Sequence, residues 1–308
     1  MTLEGLVVPP ARQGPGPLHG RAVARLRIGL RRHAHGLRPG DHQTAGVGRG
    51  LELAQLRPYE AGDDIRRIDP AASARTGVPH VRLDVPERAV TTWLVLDVSA
   101  SMAFGTTARL KSDVAEGVAE AVGHLAVRRG GRLGVAVAGP DGARGLPARG
   151  GRAALVAVRM LVRAGVAPDG APGAEAAGGA PSGIADALVR VDRLTRSRGV
   201  VVVVSDFREA GWAQAMRRLA SRHTVIAVEI SDPRESVLPD AGLLMLADPE
   251  TGEIVEADTS SAELRSAFAA VDAGRRAQLV ADLRRAGARH VALSTESDWL
   301  RELGRALR

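Results

Sequence analysis

At 308 residues and 32.1 kDa the chain has room for one large domain or two modest ones. Hydrophobic residues at 45% and charged residues at 25% exclude wholesale disorder, aromatics at 2% require an aliphatic core, and the lack of cysteine excludes disulfides, thiolate zinc and a cysteine nucleophile. The formal charge of +7 is lopsided: residues 1–50 carry eight arginines against Glu4 and Asp41, so the remainder is almost neutral. Among 42 basic residues only Lys111 is a lysine, a split expected of GC-rich coding.

The first ten residues lack the basic start and apolar run of an export signal. The most apolar stretch, Val200–Val204, is far shorter than the roughly 20 residues of a spanning helix. A soluble cytoplasmic protein is the expectation. Residues 1–44 read as a flexible basic arm: a Pro-rich loose tail to residue 18, then a short amphipathic helix over His19–His35 or a segment that orders on a partner, then a Gly-rich loop. His33 and His35 are spaced wrongly for one helical face and belong to tail or loop. Residues 45–88 carry the charged passage Leu56-Arg-Pro-Tyr-Glu-Ala-Gly-Asp-Asp-Ile-Arg-Arg-Ile-Asp-Pro, followed by Ser73-Ala-Arg-Thr-Gly and an extended Val81–Val85.

From about residue 89 to 308, apolar runs alternate with helical periodicity. Strands are expected at Thr92–Leu96, Leu133–Ala138, Ala143–Ala148, Gly199–Ser205, Thr224–Ile230 and His290–Leu293. Helices are expected at Ala108–Arg129, Ala153–Val162, Ile184–Thr195, Trp212–Ser221 and Ala262–Ala286 (with a break near Gly274), and from Asp298 onward. Residues 165–181, rich in Ala, Gly and Pro, read as a flexible loop. Leu243–Leu246 and Glu253–Glu256 read as a hairpin across Asp-Pro-Glu-Thr-Gly. Strands apolar on both faces, alternating with helices, define an α/β domain: a doubly wound, mostly parallel, Rossmann-like sheet with an N-terminal extension.

In such sheets ligands sit at the carboxyl ends of strands where the strand order reverses. Asp97-Val-Ser99-Ala-Ser101 leaves the first strand, and Ser205-Asp206 closes a later one. Alternate side chains of an extended turn converge, so one carboxylate and two hydroxyls meet there. Hard oxygen donors without histidine or thiolate suit Mg²⁺ or Mn²⁺. The plain reading is that Asp97 ends a strand and Ser101 caps a helix.

Asp97-Val98-Ser99-Ala100-Ser101-Met102 resembles the metal-ion-dependent adhesion site (MIDAS) of von Willebrand factor A (vWA) domains. That resemblance implies metal ligands at Asp97, Ser99 and Ser101, with Asp206 acting through water and Ser182 at a position the family fills with threonine. Residues 57–77 resemble the signature of the family known as domain of unknown function 58, with Pro70 in place of its usual tryptophan. The likeness runs over about residues 45–308 and includes Asp248–Gly252. It implies a protein-interaction module that is an adaptor or chaperone-like partner of a MoxR-type AAA+ ATPase, or binds that ATPase's client. Asp63, Asp64, Arg66, Arg67, Asp69 and Arg75 read as an interaction surface or brace, against the plainer reading of a solvated charge network.

Two other functions stay open. One is phosphoester hydrolysis by the same ion, although there is no identifiable base, and a serine hydrolase is disfavoured by the lack of a Gly-x-Ser-x-Gly elbow. The other is nucleic-acid binding by the arm, which the lack of interleaved aromatics disfavours. No P-loop string occurs.

Overall fold

The computed structural model describes residues 14–16, 18, 23, 26, 51–86, 90–128, 130–139, 144–165, 183–195, 197–247 and 253–307. The chain forms two compact units, residues 33–89 and residues 1–32 together with 90–308. In the smaller unit β1 (Leu51–Pro58) pairs antiparallel with β2 (His80–Pro86), with a register shift between Leu53 and Gln55. A 3₁₀ turn (Ile65–Arg67) and helix α1 (Pro70–Thr76) connect them. Asp69 caps α1 by accepting the Ala72 N–H at 2.8 Å, and Pro70 sits in the first turn, where its missing N–H has no helical partner to lose. The cap therefore explains why proline is tolerated after Ile-Asp.

In the larger unit one six-stranded sheet runs in the order β10-β7-β6-β3-β4-β5. Its strands are β3 (Thr91–Asp97), β4 (Arg132–Ala138), β5 (Arg144–Gly150), β6 (Val200–Ser205), β7 (Thr224–Ser231) and β10 (Arg289–Ser294). All neighbours are parallel except β4 and β5. A second hairpin, β8 (Leu243–Ala247) with β9 (Ile254–Asp258), pairs apart from this sheet. The expected doubly wound α/β architecture is therefore present.

Helices cover both faces, which is why β6 is buried along its whole length. On one face Leu94, Leu96, Val202 and Val204 meet α2 (Lys111–Arg128), α3 (Gly151–Gly165) and α7 (Trp299–Ala306). On the other, Trp93, Val95, Val201 and Val203 meet α4 (Ile184–Leu194), α5 (Trp212–Arg222) and α6 (Ala262–Ala286). The period of two along each strand assigns odd and even residues to opposite cores.

Several expectations change. Helix α6 continues through Gly274 without a break; one glycine costs a helix only about 1 kcal/mol. Helix α2 starts at Lys111 rather than Ala108, because the Lys111 N–H closes the preceding loop on the Phe104 carbonyl at 2.9 Å. The start of the chain also departs from a loose tail at the residues described. The Gly14 N–H donates to Asp113 Oδ1 at 3.0 Å, and the Trp299 indole and Arg109 guanidinium both donate to the Pro15 carbonyl. Val23 and Leu26 lie in the core beside Trp299 and Leu303. Of the loop expected at 165–181, Gly165 ends α3 and the rest lies outside the described residues, as do Ser182, His33, His35 and Asp248–Gly252.

Candidate functional site

Strand β3 is the first of the large sheet; the chain builds β4 and β5 to one side and then returns to lay β6 on the other. The carboxyl ends of β3 and β6 therefore flank the point where the strand order reverses. Leu96 pairs with Val204 in register, so Asp97 emerges beside Ser205 and Asp206. Topology thus brings together acids more than a hundred residues apart in the chain.

The Ser205 hydroxyl donates to Asp97 Oδ2 at 2.7 Å, and the Ser99 N–H donates to Asp97 Oδ1 at 2.9 Å. Ser99 Oγ and Ser101 Oγ lie 3.1 Å apart, and the Ser101 hydroxyl bonds Asp206. Two hydroxyls therefore bridge the carboxylates. Asp97 is 7% exposed, Ser101 5% and Asp206 3%. Burial, followed by the charge of Asp206, pushes the Asp97 carboxyl up to about 6 against the hydrogen bonds from Ser205 and Ser99. Burial pushes Asp206 up as well, but the charge and hydrogen bond of Lys111, with bonds from Ser101 and the Arg208 N–H, outweigh it and hold Asp206 below the usual carboxylate value.

Four of the five expected ligands are described, and Asp97, Ser99, Ser101 and Asp206 converge; Ser182 lies outside the described residues. Its neighbour Gly183 is described. The Glu209 carboxylate caps α4 there, accepting the Ile184 N–H at 2.9 Å, and a Cβ at residue 183 would collide with it.

Sequence reasoning missed much of this crest. Lys111 Nζ lies 2.7 Å from Asp206 Oδ2 and 2.6 Å from Glu235 Oε1, with no exposed side-chain surface. Arg208 Nε lies 3.2 Å from Glu235. Beside them Asp232 accepts the Thr106 N–H and hydroxyl, the Thr295 hydroxyl and the Arg234 N–H, which joins three loops. Composition held one signal: a chain that writes every other basic residue as arginine keeps a lysine at 111. Its compact ammonium meets Asp206 and Glu235 with no exposed surface, while the Arg208 guanidinium reaches the same two carboxylates from a partly exposed side.

The charged set near residue 63 resolves into local roles. Asp63 pairs with Arg57 at 2.6 Å, Asp64 caps the 3₁₀ turn, and Asp69 caps α1. Arg66, Arg67 and Arg75 are exposed and form no ion pair among the described residues. No helix among the described residues is long and apolar enough to cross a membrane.

The family model described as "Protein of unknown function DUF58" matches residues 55–278. The uncharacterized protein Rv1480 of Mycobacterium tuberculosis (strain ATCC 25618 / H37Rv) is 36% identical over 289 residues, covering 92% of this chain and 87% of that protein. The uncharacterized protein Mb1516 of Mycobacterium bovis matches to the same extent. Among solved structures, an aerotolerance-related membrane protein from Bacteroides fragilis is similar at 15% identity and a TM-score of 0.44, covering 71% of this chain and 98% of that one. BatB from Bacteroides thetaiotaomicron is similar at 15% identity and a TM-score of 0.42, covering 71% and 97%. The SpRpn10 VWA domain is similar at 12% identity and a TM-score of 0.35, covering 70% and 93%. At such scores these likenesses add nothing to the strand order, which establishes the architecture by itself. The family match over most of the chain, with the extended identity to Rv1480, carries the assignment: this chain belongs to the DUF58 family.

Proposed function

We propose that the chain is a protein-interaction module whose crest holds a divalent cation, Mg²⁺ or Mn²⁺, and offers it to an acidic side chain of a partner. The observation that supports this reading is the meeting of Asp97, Ser99, Ser101 and Asp206 at the strand-order reversal. Among the described residues no three His, Cys, Asp or Glu side chains are grouped to hold a metal. The donor set is instead two carboxylates with neutral hydroxyls, which suits a hard, weakly neutralised ion.

The residues fit such an ion on one further count. Asp97 is a buried carboxylate with no ion-pair partner among the described residues, and its pKa is raised first by burial and then by the charge of Asp206. Ser112 Oγ, buried without a hydrogen-bond partner, borders with Asp97 and Ser99 a small cavity whose other walls, Leu96, Val98, Met102 and Ala115, are apolar, so it adds nothing to the donor set. Asp97, Ser99 and Ser101 would hold the ion, with Ser182 and Asp206 completing the set. Bound there, the ion supplies a Lewis-acidic position for a carboxylate. The chain's own groups do the positioning: the Ser205 hydroxyl and Ser99 N–H orient Asp97, and the Arg208 N–H orients Asp206. The partner we favour, following the family resemblance, is a MoxR-type AAA+ ATPase or its client.

Calorimetric titration with Mg²⁺ and Mn²⁺ tests the site. The wild type is expected to bind and Asp97→Ala to lose binding; equal, negligible heats from both would end the proposal. Capture of the partner is expected to be reversed by EDTA.

A further inference from the structure

Lys111 opens α2 with its side chain wholly removed from solvent, and its ammonium sits between Asp206 Oδ2 and Glu235 Oε1. The Phe104 ring lies 5.9 Å from the same nitrogen. A charge so buried persists only when paired, and here both partners are carboxylates of the crest. Arg208 adds a second positive group, with Nε 3.2 Å from Glu235 and 3.8 Å from Asp206. The two crest carboxylates are therefore unequal. Asp206 already faces a cation, whereas Asp97 is met only by neutral donors among the described residues.

We infer that Lys111 is a resident cation of the crest, competing with a divalent ion for Asp206 and so setting that ion's affinity. This inference rests on the metal-site reading above. Like charges a few ångströms apart in a poorly solvated site repel strongly, and the carboxylate that would draw the ion in is partly neutralised before it arrives. A crest with one uncommitted carboxylate binds weakly and leaves the ion electrophilic, as an exchangeable docking contact requires.

The test is Mn²⁺ calorimetry on the full chain with two variants, each checked for folding by circular dichroism. Lys111→Gln removes the charge and keeps a donor for Asp206. The double variant Lys111→Met/Glu235→Gln removes one charge of each sign, so it keeps the local net charge and spares the fold an unpaired Glu235. At least a tenfold tighter binding is expected in a folded variant, and the gain should vanish when Asp206→Asn is added. Wild-type affinity or weaker in the folded variants would overturn the inference, as would a gain that survives Asp206→Asn. Binding by a variant but not by the wild type would uphold Lys111's role and remove the native metal site. Binding by all proteins alike would do the reverse, and binding by none would remove both.

Discussion

Ser205 is a small side chain with two bonds to keep. Its hydroxyl donates to Asp97 Oδ2 and accepts the Phe207 N–H, both at 2.7 Å. Phe207 needs that anchor, because it holds φ at +53° in the left-handed region that non-glycine residues avoid at a cost of order 1 kcal/mol. Its ring is retained edge-on to Trp212 at 5.3 Å. Ser205→Ala orphans a buried N–H and removes a donor from a buried carboxylate, so it is expected to destabilise the protein by about 2 kcal/mol in urea denaturation. The Asp97 carboxyl would then titrate still higher. At this scale Asp97, Ser99, Ser101 and Asp206 were legible, because turn chemistry and a strand end are local patterns. Lys111, Arg208 and Glu235 were not: their meeting depends on loops distant in sequence folding over one another, and no spacing encodes that.

Strand β7 carries a buried acid in mid-strand, an expensive choice for a central strand. Glu229 is 1% exposed; His290 Nε2 on neighbouring β10 lies 2.8 Å from its Oε2, and Arg276 Nε on α6 lies 3.3 Å from its Oε1. Burial raises its pKa, but the hydrogen bond from His290 and the charge of Arg276 lower it further, for a net fall below 4.5. A carboxyl with a depressed folded-state pKa adds stability that is fully present above its unfolded value and is lost as pH falls through the folded one. Glu229→Gln should therefore be less stable than wild type at pH 7, by about 1–3 kcal/mol. That gap should close as pH drops below 4.5, which thermal melts across the range would follow. The element itself was plain in the sequence, since Thr224–Ile230 is a short run apolar on both faces apart from Glu229. What lay hidden was that a strand pairing set far along the chain, β7 with β10, supplies the partner for its one acid. The register of β5 shows the same limit: its residues suggested a strand but not its antiparallel direction.

Across the whole molecule, the N-terminal residues are the largest departure from expectation. A Pro- and Arg-rich composition resembles that of an unstructured arm, yet Val23 and Leu26 are buried and Pro15 is held by Trp299 and Arg109. Val23 and Leu26 fall in the segment His19–His35, where an amphipathic helix is one of two readings; what the pattern does not give is that they pack beside Trp299 of α7, at the far end of the chain. Gly117 shows how close the contact is: a Cβ there would lie 2.4 Å from the Trp299 ring and 2.8 Å from Pro15. Gly117→Ala should therefore cost about 1–3 kcal/mol by overpacking, measured as a lowered denaturation midpoint. A midpoint raised instead, by the equivalent of about 1 kcal/mol, the helix-propensity gain of alanine over glycine, would show that Trp299 and Pro15 do not press on α2 at this position.

The buried ammonium has a practical corollary. Because no other lysine exists in the chain and this one has no surface in the native state, the ε-amine is a single-site reporter of opening. An acylating reagent can tag that position only while the crest is transiently undone, so the yield of acyl-Lys111, separated from any α-amine product by peptide mapping, follows such excursions over time.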